Sequence, residues 1–189
     1  MATEFSVINY LVAHASLAQR LDIDDFQKGI DMVRAAFEGG RKILTCGNGG
    51  SASTASHYIT DWSKMVHLAT GKKFRGVSLC DNAGLITAYG NDLSYADVFA
   101  GQVDAMMDEG DLLIAVSGSG NSPNVLKAIE AARRSGGKVL GVVGYDGGKM
   151  RPMCDHNVWV NSFDMQLCED VHLMFGHMVM KTLCGSVIK

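Results

Sequence analysis

Proline occurs only twice in 189 residues, and charged residues make up 20% against 47% apolar ones, so collagen-like, low-complexity and disordered chains are excluded on composition. No stretch approaches the roughly 18 consecutive apolar residues of a bilayer span, and the first residues, Glu4 among them, do not have the basic-then-apolar layout of a secretion signal. Cys46, Cys80, Cys154, Cys168 and Cys184 are odd in number, widely spaced and contain no CxxC, which argues against a disulfide framework and against a thiolate zinc site. Basic runs are missing too. None exceeds two residues and the net charge is -3, so the footprint of a general nucleic-acid binder is absent. The expectation is a single cytoplasmic domain spanning 1–189, with small-molecule partners rather than nucleic acid or membrane.

Apolar residues recur at helical spacing in Phe5, Ile8, Leu11, Val12 and Leu17, then in Phe26, Ile30, Val33 and Phe37 before Gly39-Gly40, predicting two amphipathic helices within the first 40 residues. Short apolar runs follow at 42–46, 74–80, 111–117, 138–144 and 158–160, and helix-compatible segments separate them. One of these segments runs from the first glycine-rich turn to Met65; the others cover 82–89, 96–107, 123–135 and a long C-terminal stretch over 164–183. Apolar strands alternating with helices imply parallel pairing covered on both faces. The predicted fold is therefore a three-layer α/β/α sandwich around a central, mainly parallel five-stranded sheet, with an N-terminal helical hairpin and a long last helix.

In such sheets ligands lie beyond the carboxyl ends of the strands, where loops meet helix N-termini. Two loops fall there, Gly47-Asn48-Gly49-Gly50-Ser51 and Ser117-Gly118-Ser119-Gly120-Asn121-Ser122, the second followed by Pro123 at a first helical position. The second offers three hydroxyls and unhindered N–H groups without a lysine, which suits a phosphate monoester. GxxxxGK[ST] and GxGxxG are both absent, so neither a magnesium nucleotide nor a dinucleotide is supported. His57 and Asp61 are four apart and share a helix face. Taken alone, such a pair is more often a solvated contact than a site. The last helix supplies Glu169, His172 and His177; at about 100° per residue the two histidines lie some 140° apart, so all three side chains cannot share one small site, and spacing alone does not choose the active histidine.

CGNGGSASTASH (Cys46–His57), GND (Gly90–Asp92), SGSGNSPNVLKAI (Ser117–Ile129) and EDVHLMFGH (Glu169–His177) resemble the sugar isomerase (SIS) family, a flavodoxin-like fold, and within it the phosphoheptose isomerases. That resemblance implies an aldose–ketose isomerase converting sedoheptulose 7-phosphate to D-glycero-D-manno-heptose 7-phosphate for surface polysaccharide. It implies a homotetramer with sites at subunit interfaces. The phosphate is then expected on Ser117, Ser119 and Ser122, with Asn48, Gly49, Gly50, Ser51, Asp81 and Glu169 as further substrate contacts. The family's histidine and following glutamate correspond to His57 and Asp61, and its glutamine and catalytic histidine to Glu169 and His177. Asp61 is expected as the base and His177 as the partner moving protons at oxygen, roles open to exchange, and His57, Asp61, Glu169 and His177 as the ligands of one zinc ion. The competing expectation for this quartet is a metal-free acid–base cluster sharing a proton. Two other functions stay open on sequence: a non-catalytic SIS module binding a phosphosugar or a replication-initiator-type protein, and an isomerase for another phosphosugar.

Overall fold

A computed structural model describes residues 6–185, which leaves Phe5 of the first predicted helix outside. Helix α1 (Val7–Ala18) leads into α2 (Ile23–Glu38), which begins where the Asp22 carboxylate accepts the N–H groups of Asp24 and Asp25. Strand β1 (Ile43–Cys46) then feeds α3 (Gly50–Asp61), which continues through a π-turn at Trp62–Val66 into α4 (His67–Thr70). The helical stretch thus outruns the expected end at Met65, and Gly71, in the left-handed region, stops it. The chain continues through β2 (Gly76–Ser78), α5 (Ala83–Asp92), a 3-10 turn at Tyr95–Asp97 and α6 (Ala100–Met106), so the helix expected over 96–107 is two pieces. Strand β3 (Leu112–Ser117), α7 (Pro123–Arg134), β4 (Lys138–Val143), β5 (His156–Trp159) and α8 (Met165–Cys184) complete the described residues.

The five strands form one parallel sheet in the order β2-β1-β3-β4-β5. This is the doubly wound order whose winding reverses between β1 and β3. Side chains alternate across it: Leu112, Ile114 and Val116 of β3 join Phe26, Ile30, Val33, Trp62 and Phe175 under α2, α3 and α8, whereas Leu113 and Ala115 join Val125, Ile129 and Val103 under α6 and α7. β5, an edge strand, begins two residues earlier than its apolar run: His156 and Asn157 already pair with Leu140 and Gly141 of β4, and the His156 Nε2 lies 2.8 Å from the Asp25 carbonyl. β2 shrinks to three residues at the other edge.

Candidate active site

Helices α3 and α8 both start at the carboxyl end of the sheet and run side by side. The Trp62 Nε1 donates to the Gly176 carbonyl at 2.9 Å and the Tyr58 hydroxyl to the His172 carbonyl at 2.5 Å, both in the buried seam. Gly176 permits this approach, since a Cβ there would collide with the Tyr58 ring. The same closeness recurs at the helix starts, where a Cβ on Gly50 would collide with the Glu169 carboxylate.

Between these starts and the loop after β3 lies a cleft of about 260 Å³ lined by Asn48, Gly49, Gly50, Ser51, Val116, Ser117, Gly118, Ser119, Ser122, Met165 and Glu169. It sits at the reversal between β1 and β3. All but one of the expected substrate contacts line it; Asp81 does not, and is exposed with its carboxylate accepting from the Ser56 hydroxyl, which also meets Ser78 at 3.0 Å. The Ser117 Oγ accepts the N–H of Gly120 at 3.1 Å and the Ser119 Oγ that of Asn121 at 3.3 Å, so both hydroxyls brace the turn and keep their protons free to donate. Ser122 caps α7 without a side-chain cap bond. Its hydroxyl is free for an anion at the helix N-terminus. A larger hollow of about 510 Å³ at the opposite end of the sheet, between Met32, Ala36 and Leu112 with Arg41, Lys138 and Asp155 also in its lining, has no hydroxyl or imidazole.

Two turns along the same pair of helices, three side chains converge. The Nε2 atoms of His57 and His177 are 3.2 Å apart, and the Asp61 Oδ2 lies 3.3 Å from the first and 3.8 Å from the second. Glu169 is not part of this cluster, contrary to the expected quartet. Eight residues separate it from His177, a rise of about 12 Å, and its carboxylate lies against Gly50 instead. The three-residue set has the chemistry of a zinc site with an open position. Tetrahedral ligands about 2.0–2.1 Å from a zinc ion stand roughly 3.4 Å from one another, close to the two separations made by the His57 Nε2, with the Asp61–His177 separation of 3.8 Å somewhat longer. His57, Asp61 and His177 are each partly exposed at the protein surface, so the cluster is open to a ligand. The π-turn begins directly after Asp61, at a position where such turns often mark function.

His172 takes the other direction. It is 1% exposed, neither ring nitrogen has a well-formed hydrogen bond, and burial lowers its pKa to about 4, opposed only in part by the Val143 backbone. Of the two histidines that spacing left open, His177 joins the cluster, while His172 is buried without a well-formed hydrogen bond to its ring. Sequence reasoning also passed over Asn124. It is buried beneath the cleft and its side chain is paired with Asn48. Its signal was available, because Asn124 shares the apolar face of α7 with Ala128 and Ala132, and a polar residue on such a face needs a partner.

The sheet order, the two loops at its reversal and the cluster beyond them define a doubly wound α/β protein with a hydroxyl-lined anion cleft and a His/Asp/His group beside it. The SIS domain family matches residues 9–144, and the chain belongs to it. Phosphoheptose isomerases are among its relatives in that family. The one from Aliarcobacter butzleri is 36% identical over 185 residues, covering 96% of this chain and 95% of the relative. That from Rhodospirillum rubrum is 41% identical over 156 residues, covering 82% and 80%. The structure of phosphoheptose isomerase GmhA from Neisseria gonorrhoeae superposes with a TM-score of 0.86 at 28% identity, covering 94% of this chain and 96% of that one.

Proposed function

We propose that this chain interconverts sedoheptulose 7-phosphate and D-glycero-D-manno-heptose 7-phosphate, in the cytoplasm, for surface polysaccharide. The observation that carries the reading is the pairing of a hydroxyl-lined anion cleft with a His/Asp/His cluster on the same two parallel helices, α3 and α8. Phosphate held by Ser117, Ser119 and Ser122 would anchor the unreactive end of the sugar, and binding energy there orients the reacting end. At that end the Asp61 carboxylate removes the proton from the carbon next to the carbonyl, giving an enediol, and returns it to the neighbouring carbon. His177 moves the proton between the two oxygens. His57, Asp61 and His177 would hold zinc, which supplies Lewis-acid polarisation of a carbonyl when bound.

A homotetramer with sites at subunit interfaces belongs to the same reading, with the first 40 residues as its oligomerisation helices. It is supported by the outer face of α1, where Val7, Ile8, Leu11 and Val12 are 57–68% exposed, more apolar surface than a lone helix is expected to leave in water. No described helix is long and apolar enough to cross a membrane.

The test is incubation with a panel of ketose phosphates followed by NMR detection of the aldose. Conversion of sedoheptulose 7-phosphate, lost in Asp61→Asn, supports the reading. Conversion of a different member transfers it to another phosphosugar, and binding without conversion of any member makes the chain a non-catalytic SIS module.

A further inference from the structure

Asn48 and Asn124 are 76 residues apart in sequence, yet their amides are paired in both directions. The Asn48 Nδ2 donates to the Asn124 Oδ1 at 2.9 Å, and the Asn124 Nδ2 donates to the Asn48 Oδ1 at 2.8 Å. A reciprocal amide pair alone would be satisfied equally well with both groups turned over. Here the backbone removes that freedom. The N–H of Val125, in the first turn of α7, is shared between the Ser122 carbonyl and the Asn124 Oδ1, each at 3.0 Å, and an NH₂ in place of that Oδ1 would set two donors against each other. Asn124 must therefore turn its NH₂ toward Asn48, which must answer with its own oxygen.

A third group closes the arrangement. The Tyr95 hydroxyl donates to the same Asn48 Oδ1 at 3.0 Å. Tyr95 is carried by the 3-10 turn, whose Asp97 is tied to α7 by the Lys127 Nζ at 2.7 Å and to Ser94 by its hydroxyl at 2.5 Å. Both routes to Asn48 thus start on one helix, from Asn124 and from Lys127 one turn later. An amide oxygen has two lone pairs, and with Asn124 and Tyr95 both donating to it, Asn48 has no acceptor left. One of its two N–H hydrogens is also used. Asn48 lines the cleft, and what it can offer a ligand is a single N–H.

We propose that Asn124 is a positioning residue that fixes Asn48 as a one-way hydrogen-bond donor to an oxygen of the bound phosphosugar, and that it locks the loop after β1 to the helix following the phosphate loop. The inference rests on the proposed isomerase reading. Because Asn124 is buried at 2% exposure, it acts through Asn48 and does not itself reach substrate.

The test is a double-mutant cycle on kcat/KM for sedoheptulose 7-phosphate, with thermal unfolding measured in parallel. Asn124→Leu, similar in volume and unable to make either bond, is expected to lower kcat/KM by at least about tenfold, the scale of one hydrogen bond. In an Asn48→Ala background the same substitution is expected to cost little more, because the residue it positions is gone. Asn124→Asp keeps the acceptor for Asn48 and for the Val125 N–H but sets a carboxylate oxygen against the Asn48 Oδ1, so it is expected to release Asn48 from its one-way orientation and to lower kcat/KM at least as much, and it covers the case in which the leucine variant does not fold. Asn48→Asp, which turns the offered donor into an acceptor, should cost more than Asn48→Ala. Full additivity of the Asn48 and Asn124 effects, or wild-type kcat/KM in both Asn124 variants, overturns the proposal. Should the wild-type protein turn over no sedoheptulose 7-phosphate, the isomerase reading falls separately, and the same cycle read by calorimetry on phosphosugar binding decides the positioning role by the same non-additivity.

Discussion

Replacing His172 by leucine should make the protein more resistant to acid. In the folded chain the imidazole is buried, which lowers its pKa from 6.5 to about 4, whereas in the unfolded chain it titrates normally. Between those two values the unfolded state binds the extra proton, so stability is complete above pH 6.5 and falls as the pH drops toward 4. Each unit in that window costs about 1.4 kcal/mol, which gives about 2 kcal/mol at pH 5 and about 3 kcal/mol at pH 4 once the folded state begins to protonate as well. For a domain with total stability on the order of 5–15 kcal/mol, that is a large share. Carboxylates also titrate in this range, so the readout is a difference: urea unfolding of wild type and His172→Leu at pH 7.5 and pH 5.0, at one protein concentration. The wild type should lose about 2 kcal/mol more than the variant between the two pH values. The variant should be no less stable at pH 7.5, because leucine leaves no unpaired ring nitrogens in the core. Equal losses in the two proteins would refute the argument, and so would a resonance of the His172 ring titrating near 6.5 in the folded state.

Ser119→Ala should weaken phosphosugar binding by roughly 1.5–3 kcal/mol, one hydrogen bond to a charged group, and unchanged affinity in a calorimetric titration would remove this serine from the phosphate site. Gly50→Ala adds a methyl group where the Glu169 carboxylate lies; because that carboxylate is the end of a flexible chain, the thermal midpoint should move little while kcat/KM falls, and the fall should shrink in a Glu169→Ala background. Prolonged chelation should abolish turnover and zinc should restore it, with His57→Ala losing metal by elemental analysis as well as activity; a metal-free protein with full turnover would leave His57, Asp61 and His177 as acid–base groups alone. Val12→Lys, placed on the exposed face of α1, should lower the mass measured by sedimentation below that of the wild-type oligomer, and an unchanged tetramer would move the interface elsewhere.

What the sequence made legible was local. The two Gly/Ser loops stand between an apolar strand and a helix, and everything that marks them is within a few residues, so their position at the end of β1 and β3 could be read directly. The sheet followed from the alternation of strands and helices. The errors fall where long-range contacts decide. The strand expected at 158–160 starts at His156 and Asn157, polar residues that hid its first two positions, and the His156 ring finds its partner in the Asp25 carbonyl of α2. The helix over 96–107 divides because the 3-10 turn is held by Ser94 and by Lys127 of α7. The amide pair of Asn48 and Asn124 left only a faint trace, one polar residue on an apolar helix face.

The fate of Glu169 shows why spacing brought the site close but did not complete it. Helical geometry correctly separated Glu169, His172 and His177 into different directions around α8, and Gly50 and His57, seven residues apart, fall on nearly the same line of α3. What the angles omit is that α3 and α8 run in parallel from the same end of the sheet, with Gly50 facing Glu169 at their starts and His57 facing His177 two turns on. Partners are therefore set by height along the helices as well as by direction around them. Glu169 belongs by height to the cleft, and His177 to the His57–Asp61 pair. A substrate bound at both would lie across the outer side of the two helices, over the closed Tyr58–Gly176 seam, with its phosphate at the loops and its carbonyl at the cluster. With about 12 Å of helix between the levels of Glu169 and His177, such a course asks for an extended chain of carbons ending in a phosphate rather than a compact one. Chain length is accordingly the first property by which this protein should sort its substrates: ketose phosphates with fewer carbons between carbonyl and phosphate should lose more in kcat than in phosphate affinity, because they remain anchored at the loops while falling short of Asp61.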